Sequence, residues 1–140
     1  AERTAAMTDI YGDIPYSAAA LGNDGPAYDA QKDIYYDIFK ELTEASDALN
    51  QNLTGQETCT DQQDLIYAGN IQKWRKFANS LRLRYALRLT NIDPAKAKAE
   101  GEAALAAGVM SDEDHGKNLC YGRMGPSFVH DLRVEWFRNE

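Results

Sequence analysis

Residues 64–97 read DLIYAGNIQKWRKFANSLRLRYALRLTNIDPAKA, and this stretch decides the fold. Apolar residues recur at every third or fourth position, which is the spacing of one face of an α-helix. Asn70 has a side chain that caps helix N-termini well. We therefore predict a helix over 71–89, with a strongly basic outer surface. Its predicted core stripe is Trp74, Phe77, Ala78, Leu81, Tyr85 and Leu89.

A second helix is predicted over 31–49, ahead of the basic one. Asp29 stands where an N-cap is expected. The apolar stripe consists of Ile34, Ile38, Leu42, Ala45 and Leu49, widened by Tyr35 and Phe39. The opposite face of this helix is acidic. We therefore expect it to pack antiparallel against the basic helix, with complementary charges between the two.

A third helix over 94–107 has the clearest boundaries in the chain. Asp93 suits the N-cap, Pro94 suits the first helical position and Gly108 suits the position after the last turn. The body of this helix is rich in alanine. Small side chains allow a neighbouring helix to approach closely, so we expect a tightly packed pair of helices.

The two ends of the chain give weaker signals. Residues 1–11 fit the last turns of a helix with Ala6, Met7 and Ile10 on one face. Gly12 and Pro15 then end it, and the sequence to Tyr28 has the composition of a loop. Beyond Gly108 we predict a short strand over 118–121 and a last helix over 126–137. The overall class predicted is all-α, built from helix pairs joined by loops.

The composition is that of one folded domain. The chain has 140 residues, of which 44% are hydrophobic and 26% charged, and these are ordinary proportions for a globular protein. We expect 1–140 to form a single helical domain. The formal net charge of −7 argues against nucleic acid as a partner, because phosphate binding needs a basic face. The sequence contains no run of about 18 apolar residues, so it predicts no transmembrane helix.

The start of the chain suggests that it is a piece of a longer protein. It carries neither an initiating Met nor the apolar stretch of a secretion signal. Its first residues already fit the end of a helix. We therefore expect further sequence on the N-terminal side.

Few residues point to chemistry. Cys59 and Cys120 are too few for a disulfide scaffold, and their spacing does not show whether they pair. His115 and His130 lie among acidic residues but match no zinc-binding spacing. No GxSxG, HExxH or phosphate-binding glycine motif occurs. The sequence thus predicts no catalytic residue, no metal and no cofactor.

Aromatic residues in loops are the better candidates for a functional role. Tyr16 and Tyr28 lie in or beside the glycine-containing segment 12–28, and Tyr67 precedes the basic helix. An aromatic face can pack on a sugar ring or a peptide while its hydroxyl forms hydrogen bonds. We predict these three as ligand-binding residues. The alternative is that each fills the core at a helix end and keeps its hydroxyl in water.

Four motifs occur in a telling order. They are YGDIPYSAAAL at 11–21, YDAQKDIYYDIFKELTEASDAL at 28–49, DLIYAGNIQKWRKFANSLRLRYALRL at 64–89 and DPAKA at 93–97. In this order the chain resembles the middle of the SusD/RagB-like outer-membrane lipoproteins. The third motif is the most specific, and the others gain weight from their order.

The resemblance implies a helical core of TPR-like pairs with a large irregular region beside it. It also implies a lipid-anchored protein on the outer-membrane surface that captures oligosaccharides or peptides for a TonB-dependent transporter, without catalysis. Neither cysteine lies near the N-terminus, so the lipid anchor is expected outside this chain. The segment 12–28 is the expected contact with ligand or transporter.

Two other functions remain open from the residues alone. One is a helical-repeat scaffold that binds a protein segment in a groove and has no glycan role. The other is a glycan hydrolase whose catalytic carboxylates are not singled out by their neighbours. An exposed apolar groove favours the first, and turnover of a glycan favours the second.

Overall fold

The computed structural model describes residues 1–19, 21–22, 24–50, 63–64, 66–111 and 114. Within these ranges the chain forms four helices and no strand: α1 (Glu2–Tyr11), α2 (Gln31–Asn50), α3 (Ile71–Arg88) and α4 (Pro94–Ala107). The all-α class is confirmed. The strand predicted over 118–121 and the helix predicted over 126–137 lie outside the described residues, as do both cysteines and both histidines.

The core lies mainly between α2 and α3. Tyr35, near the start of α2, packs edge-on against Tyr85, near the end of α3, with ring centroids 6.2 Å apart. The two helices are therefore antiparallel. Ile34, Ile38 and Phe39 of α2 are almost completely buried against α3, and burial of side chains this large stabilises the pair by roughly 1.5–3 kcal/mol each.

The helices α3 and α4 form an antiparallel hairpin through the turn Leu89–Asp93. Gly101 lies close to α3, and a methyl group added there would stand 3.8 Å from Leu83 Cδ1. At the far end of the hairpin, the Asn79 amide donates to the carbonyl of Gly108 at 3.0 Å. Helix α3 is thus buried on two sides and is shared by both pairs.

Local sequence signals predicted the ends of α2, α3 and α4 to within one residue. The side chain of Asn70 accepts from Lys73 N, and that of Asp93 accepts from Lys96 N. Each cap satisfies a backbone N–H that has no partner inside its helix. Helix α3 ends one residue before the predicted position and α2 one residue after it, while α4 has the predicted bounds.

The face of α1 that carries Ala6, Met7 and Ile10 is not the buried one. Met7 and Ile10 are 51% and 74% exposed, whereas Ala5 and Thr8 are completely buried. Thr8 is buried without penalty because its hydroxyl donates to the carbonyl of Gly12 at 2.6 Å. A threonine whose hydroxyl bonds to a nearby backbone carbonyl can be buried at little cost. The residue type alone does not show whether this bond forms.

The stripe on α2 also deviates from the prediction in its second half. The buried positions are Ile34, Tyr35, Ile38, Phe39, Leu42 and Ser46. Ala45 is exposed and Leu49 is only half-buried. The buried side chains therefore continue at a spacing of four, which is one of the ridges along which helices pack.

The expected charge pairing between α2 and α3 was wrong as well. Three of the six cations of α3 pair elsewhere: Arg88 with Asp9 of α1, Arg82 with Glu100 of α4, and Lys76 with Asp114. The α2–α3 interface is apolar, so the charged faces of both helices point away from it. Within the described residues, no helix is both long and apolar enough to cross a bilayer.

Candidate functional site

Two aspartates, Asp13 and Asp29, close the base of the loop between α1 and α2. Asp29 accepts hydrogen bonds from the backbone of Tyr16 (3.0 Å), the backbone of Ser17 (2.8 Å) and the Ser17 hydroxyl (2.7 Å). The Ser17 hydroxyl and these backbone groups lower the pKa of Asp29. A backbone bridge pairs Ile14 with Asp29. We call this arrangement the loop clasp.

The predicted capping role of Asp29 was wrong, because Asp29 belongs to the clasp. The first turn of α2 is capped instead by Asp13, whose carboxylate accepts from Gln31 N at 2.9 Å. Cap and helix are 18 residues apart in sequence. No local pattern indicates such a cap, because sequence rules for caps look only at adjacent residues.

Tyr16 is half-buried and tied to the acidic face of α2. Its hydroxyl donates to Asp37 at 2.7 Å and lies 3.4 Å from Glu41. The hydrogen bond to Asp37, with a smaller part from burial, raises the pKa of Tyr16 far above its usual value. The neutral hydroxyl is therefore a permanent donor that fixes the loop on α2.

Tyr28 differs from Tyr16 in that its ring is in solvent. It is 72% exposed and directly precedes Asp29 of the clasp. Leu21, in the same loop, is 68% exposed. Large exposed side chains on a loop that is anchored at its base are available for contact with a ligand.

Tyr67 lies in a separate aromatic cluster at the start of α3. Its ring packs edge-on against Trp74, with centroids 5.0 Å apart, and also contacts Phe77. Only 5% of Tyr67 is exposed. This is the packing role that was the alternative for each tyrosine, and ligand contact by Tyr67 stays an untested prediction.

Asp64 organises that cluster and was missed by the sequence reasoning. Its carboxylate accepts from the backbone of Ile66, Tyr67 and Gly69 and from Trp74 Nε1 at 2.7 Å. Burial alone would raise the pKa of Asp64, but these hydrogen bonds, the one from Trp74 first, lower it. The sequence signal was an aspartate that stands three residues before Tyr67, five before Gly69 and ten before Trp74.

The three predicted tyrosines do not form one site. Tyr28 precedes α2, at the end of the bundle where α3 finishes, whereas Tyr67 packs where α3 begins. Helix α3 has 18 residues, which corresponds to about 27 Å. A single sugar ring or peptide side chain cannot reach both Tyr28 and Tyr67.

A polar network joins α1 to the other helices beside the loop. The Tyr35 hydroxyl donates to Asp9, and Arg88 forms an ion pair with the same carboxylate. Burial is the first cause that raises the pKa of Tyr35, followed by its bond to Asp9. This network fixes α1, and with it the start of the loop, against the α2–α3 pair.

Among the described residues, no three His, Cys, Asp or Glu side chains are grouped so that they could hold a metal ion. The carboxylates described above are occupied by backbone groups, hydroxyls or cations. The helices and the clasped loop together define a TPR-like helical scaffold that presents an exposed loop.

Comparison with known proteins identifies the family of this scaffold. A family model described as SusD-like, "Susd and RagB outer membrane lipoprotein", matches residues 2–134. The chain therefore belongs to the SusD-like family, as its motifs suggested, and the family is described as one of outer-membrane lipoproteins. Among curated proteins no match is found.

Several solved structures are similar to the chain. A chitin-binding SusD homologue from Flavobacterium johnsoniae is 38% identical, with a TM-score of 0.70 over 77% of this chain and 23% of that one. A SusD homologue from Bacteroides uniformis is 40% identical, with a TM-score of 0.69 over 88% and 26% of the two chains. One from Bacteroides thetaiotaomicron is 43% identical, with a TM-score of 0.66 over 78% and 22%. The chain thus spans about a quarter of the length of these relatives.

Proposed function

We propose that this chain is the helical scaffold of a cell-surface protein that binds an oligosaccharide and passes it to an outer-membrane transporter. The supporting observation is membership of the SusD-like family over residues 2–134. One similar structure is described as a chitin-binding SusD homologue and another as a chitin-binding protein. A glycan of N-acetylated sugars is therefore the first ligand class to test, with peptides as the second.

The proposed binding surface on this chain is the clasped loop, with Tyr28 as its aromatic contact. The ring of Tyr28 is exposed, and the adjacent Asp29 is fixed by three hydrogen bonds. Because the backbone next to Tyr28 is already anchored through Asp29, less backbone freedom is lost when a sugar packs on the ring, so more of the contact energy appears as affinity. The relatives are about four times longer than this chain, so further ligand contacts are expected from the rest of the protein.

The proposed partner is a TonB-dependent transporter in the outer membrane. The full-length protein would be held to the membrane only by an N-terminal lipid outside this chain, and no catalysis is involved. Purification of the tagged full-length protein from native outer membranes, with mass spectrometry of what accompanies it, tests the partner. Recovery of a transporter barrel supports this proposal, and recovery of the protein from the cytoplasm contradicts it.

Binding is tested by calorimetry of the full-length protein with chito-oligosaccharides and with peptides. Tyr28→Ala is expected to weaken glycan binding by about 5- to 30-fold, because stacking on an aromatic ring contributes on the order of 1–2 kcal/mol. Tyr11→Ala is the matched control, since Tyr11 is 73% exposed on α1. Equal effects of the two substitutions would remove Tyr28 from the site, and release of shortened sugars would contradict the non-catalytic role.

A further inference from the structure

A cleft of about 190 Å³ opens beside the start of α2. It lies between that helix, the end of α3 and the turn before α4. Its main lining residues are Gln31, Lys32, Tyr36, Arg88, Ile92 and Asp93. Pockets for drug-sized molecules measure roughly 300–1,000 Å³, so this cleft suits a smaller group.

Arg88 provides a fixed donor at one wall of the cleft. One terminal nitrogen of its guanidinium group is held by Asp9 and lies 3.4 Å from the Tyr35 hydroxyl. No residue in the described part of the chain accepts from the other guanidinium nitrogens. The group is therefore held in place by one edge and keeps N–H donors for a ligand.

Gln31 provides a fixed acceptor nearby. Its amide nitrogen donates to the backbone carbonyl of Thr8 at 2.8 Å. This bond orients the side chain and assigns the nitrogen, because a carbonyl can only accept. The amide oxygen of Gln31 has no donor among the described residues, so it is available to a hydroxyl group.

Tyr36 and Asp93 form a second fixed polar pair. The Tyr36 hydroxyl donates to Asp93 at 2.6 Å, and this bond is the first cause that lowers the pKa of Asp93. Asp93 also caps α4 through Lys96 N. The ammonium group of Lys32 lies 5.4 Å from the centre of the Tyr36 ring. Lys32 thus stands at the edge of the cleft as a further donor.

The charges around the cleft balance one another. Arg88 is paired with Asp9, and Lys96 with Glu100 at 2.6 Å. Lys32 has the carboxylate of Asp93 as its counter-charge, which it helps to keep ionised. A site with offset charges gives little advantage to a phosphate or carboxylate ligand, because the field at its centre is small.

An apolar wall completes the cleft. Leu89 closes it towards the core, while Ile92 at its mouth is 80% exposed, the largest fraction among the exposed large hydrophobic residues described. A sugar ring combines an apolar C–H face with hydroxyl groups that both donate and accept. Fixed donors, fixed acceptors and one apolar wall match that combination.

We infer that this cleft binds a single neutral sugar ring of the glycan, as a subsite distinct from the clasped loop. The inference rests on the proposed function for the glycan itself. In the cleft, Arg88 and Lys32 donate to oxygen atoms of the sugar, and Gln31 and Asp93 accept from its hydroxyl groups. Ile92 covers the C–H face of the ring.

Methyl NMR of the full-length protein tests this subsite. The protein carries labelled isoleucine methyl groups, and N-acetylglucosamine is added, with inorganic phosphate as a charge-only probe. The Ile92 signal is assigned with Ile92→Val. We expect it to shift saturably with the sugar, with a dissociation constant on the order of 1 mM for so small a ligand. The Ile10 methyl, which is 74% exposed on α1, is expected to stay unchanged.

Two substitutions separate this subsite from the loop. Lys32→Ala is expected to raise at least threefold the dissociation constant for the sugar that is measured from the Ile92 methyl shift. Ile92→Asp is expected to weaken chito-oligosaccharide binding about tenfold, while the equally exposed Ile10→Asp leaves it unchanged. Both isoleucines are on the surface, so neither change removes a core contact.

The outcomes are distinct. If chito-oligosaccharides bind but the Ile92 methyl does not respond, the subsite is wrong and the proposed function stands. If phosphate shifts Ile92 more strongly than the sugar does, the cleft is an anion site and the inference is overturned. If the full-length protein binds neither oligosaccharide nor monosaccharide, the proposed function and the subsite both fail.

Discussion

At the scale of single residues, backbone geometry decides what a glycine does. Gly12 ends α1 with a φ of +74°, in a region that L-residues rarely adopt. Gly101 lies inside α4, and a methyl group there would meet Leu83 and Ala86 at ordinary contact distances of 3.8 and 3.9 Å. The same chemical change should therefore have opposite effects at the two positions.

We expect Gly101→Ala to stabilise the protein by about 0.5–1 kcal/mol, because alanine restricts the unfolded chain and favours the helix. We expect Gly12→Ala to destabilise it by about 1–3 kcal/mol through backbone strain. Urea unfolding followed by tryptophan fluorescence measures both. The same sign for the two variants would contradict this account.

Residue-scale features were predictable only where their causes are local. Asn70 and Asp93 cap the helices that follow them at once, so their type and position were sufficient. Asp13 caps a helix that begins 18 residues later. The capping role of Asp13 depends on the path of the loop, and this path cannot be predicted from the sequence alone.

At the scale of elements, α4 carries two glutamates in very different surroundings. Glu100 is buried and contacts both Arg82 and Lys96. Burial alone would raise the pKa of Glu100, but the hydrogen bonds from Lys96 and Arg82 lower it. Glu102 lies two residues further on, on the solvent side, and reaches Lys98 at 3.9 Å.

Glu100→Gln should destabilise the protein by about 2–4 kcal/mol, because Arg82 would keep its charge at a nearly buried position without a partner. Glu102→Gln should change the stability by less than about 0.5 kcal/mol, as exposed ion pairs usually do. Thermal unfolding of the two variants at neutral pH compares them directly. Similar losses would show that the Arg82–Glu100 contact contributes little.

The helices themselves were predictable because their spans depend on periodicity and on caps, which are both local. The ion-pair partners of the charged side chains on these helices were not predictable. The basic side chains of α3 were expected to complement the acidic face of α2, yet Arg82 and Arg88 pair with α4 and α1. Burial of Ile34, Ile38 and Phe39 sets the α2–α3 geometry first, and charged side chains then find partners around that interface.

At the scale of the whole molecule, Asp114 ties the segment after α4 back to α3. It is 7% exposed and contacts Lys76 Nζ at 2.8 Å and Ser111. Burial alone would raise the pKa of Asp114, but the hydrogen bonds from Lys76 and then Ser111 lower it to about 2. The folded state therefore favours the ionised form more than the unfolded state does.

This shift predicts a loss of stability in acid. Because the folded-state pKa lies below the unfolded value of about 3.9, the stabilisation is present above pH 4 and disappears as the pH falls towards 2. Its size is on the order of 2 kcal/mol. The stability difference between the wild type and Asp114→Asn should therefore shrink between pH 5 and pH 2. A constant difference would contradict it, and Asp24→Asn provides a surface control.

The candidate site was predictable in part. The glycines and tyrosines of the segment 12–28 indicate this loop, whose base the clasp closes, and its contact with a ligand stays a prediction. The cleft at Arg88 and Ile92 was not foreseen, because it forms where α2, α3 and the turn before α4 meet. A site assembled from three elements leaves no short motif, and periodicity gives only the core.

The loop clasp has a consequence for how such chains can diverge. Its base is fixed at Ile14, Ser17 and Asp29, and none of the described residues between Ser17 and Asp29 is buried. Doubling the length of a flexible segment costs only about 0.6 kcal/mol in closure entropy. This tip can therefore accept insertions or a grafted foreign epitope, and the specificity of the surface can be exchanged while the scaffold beneath it stays the same.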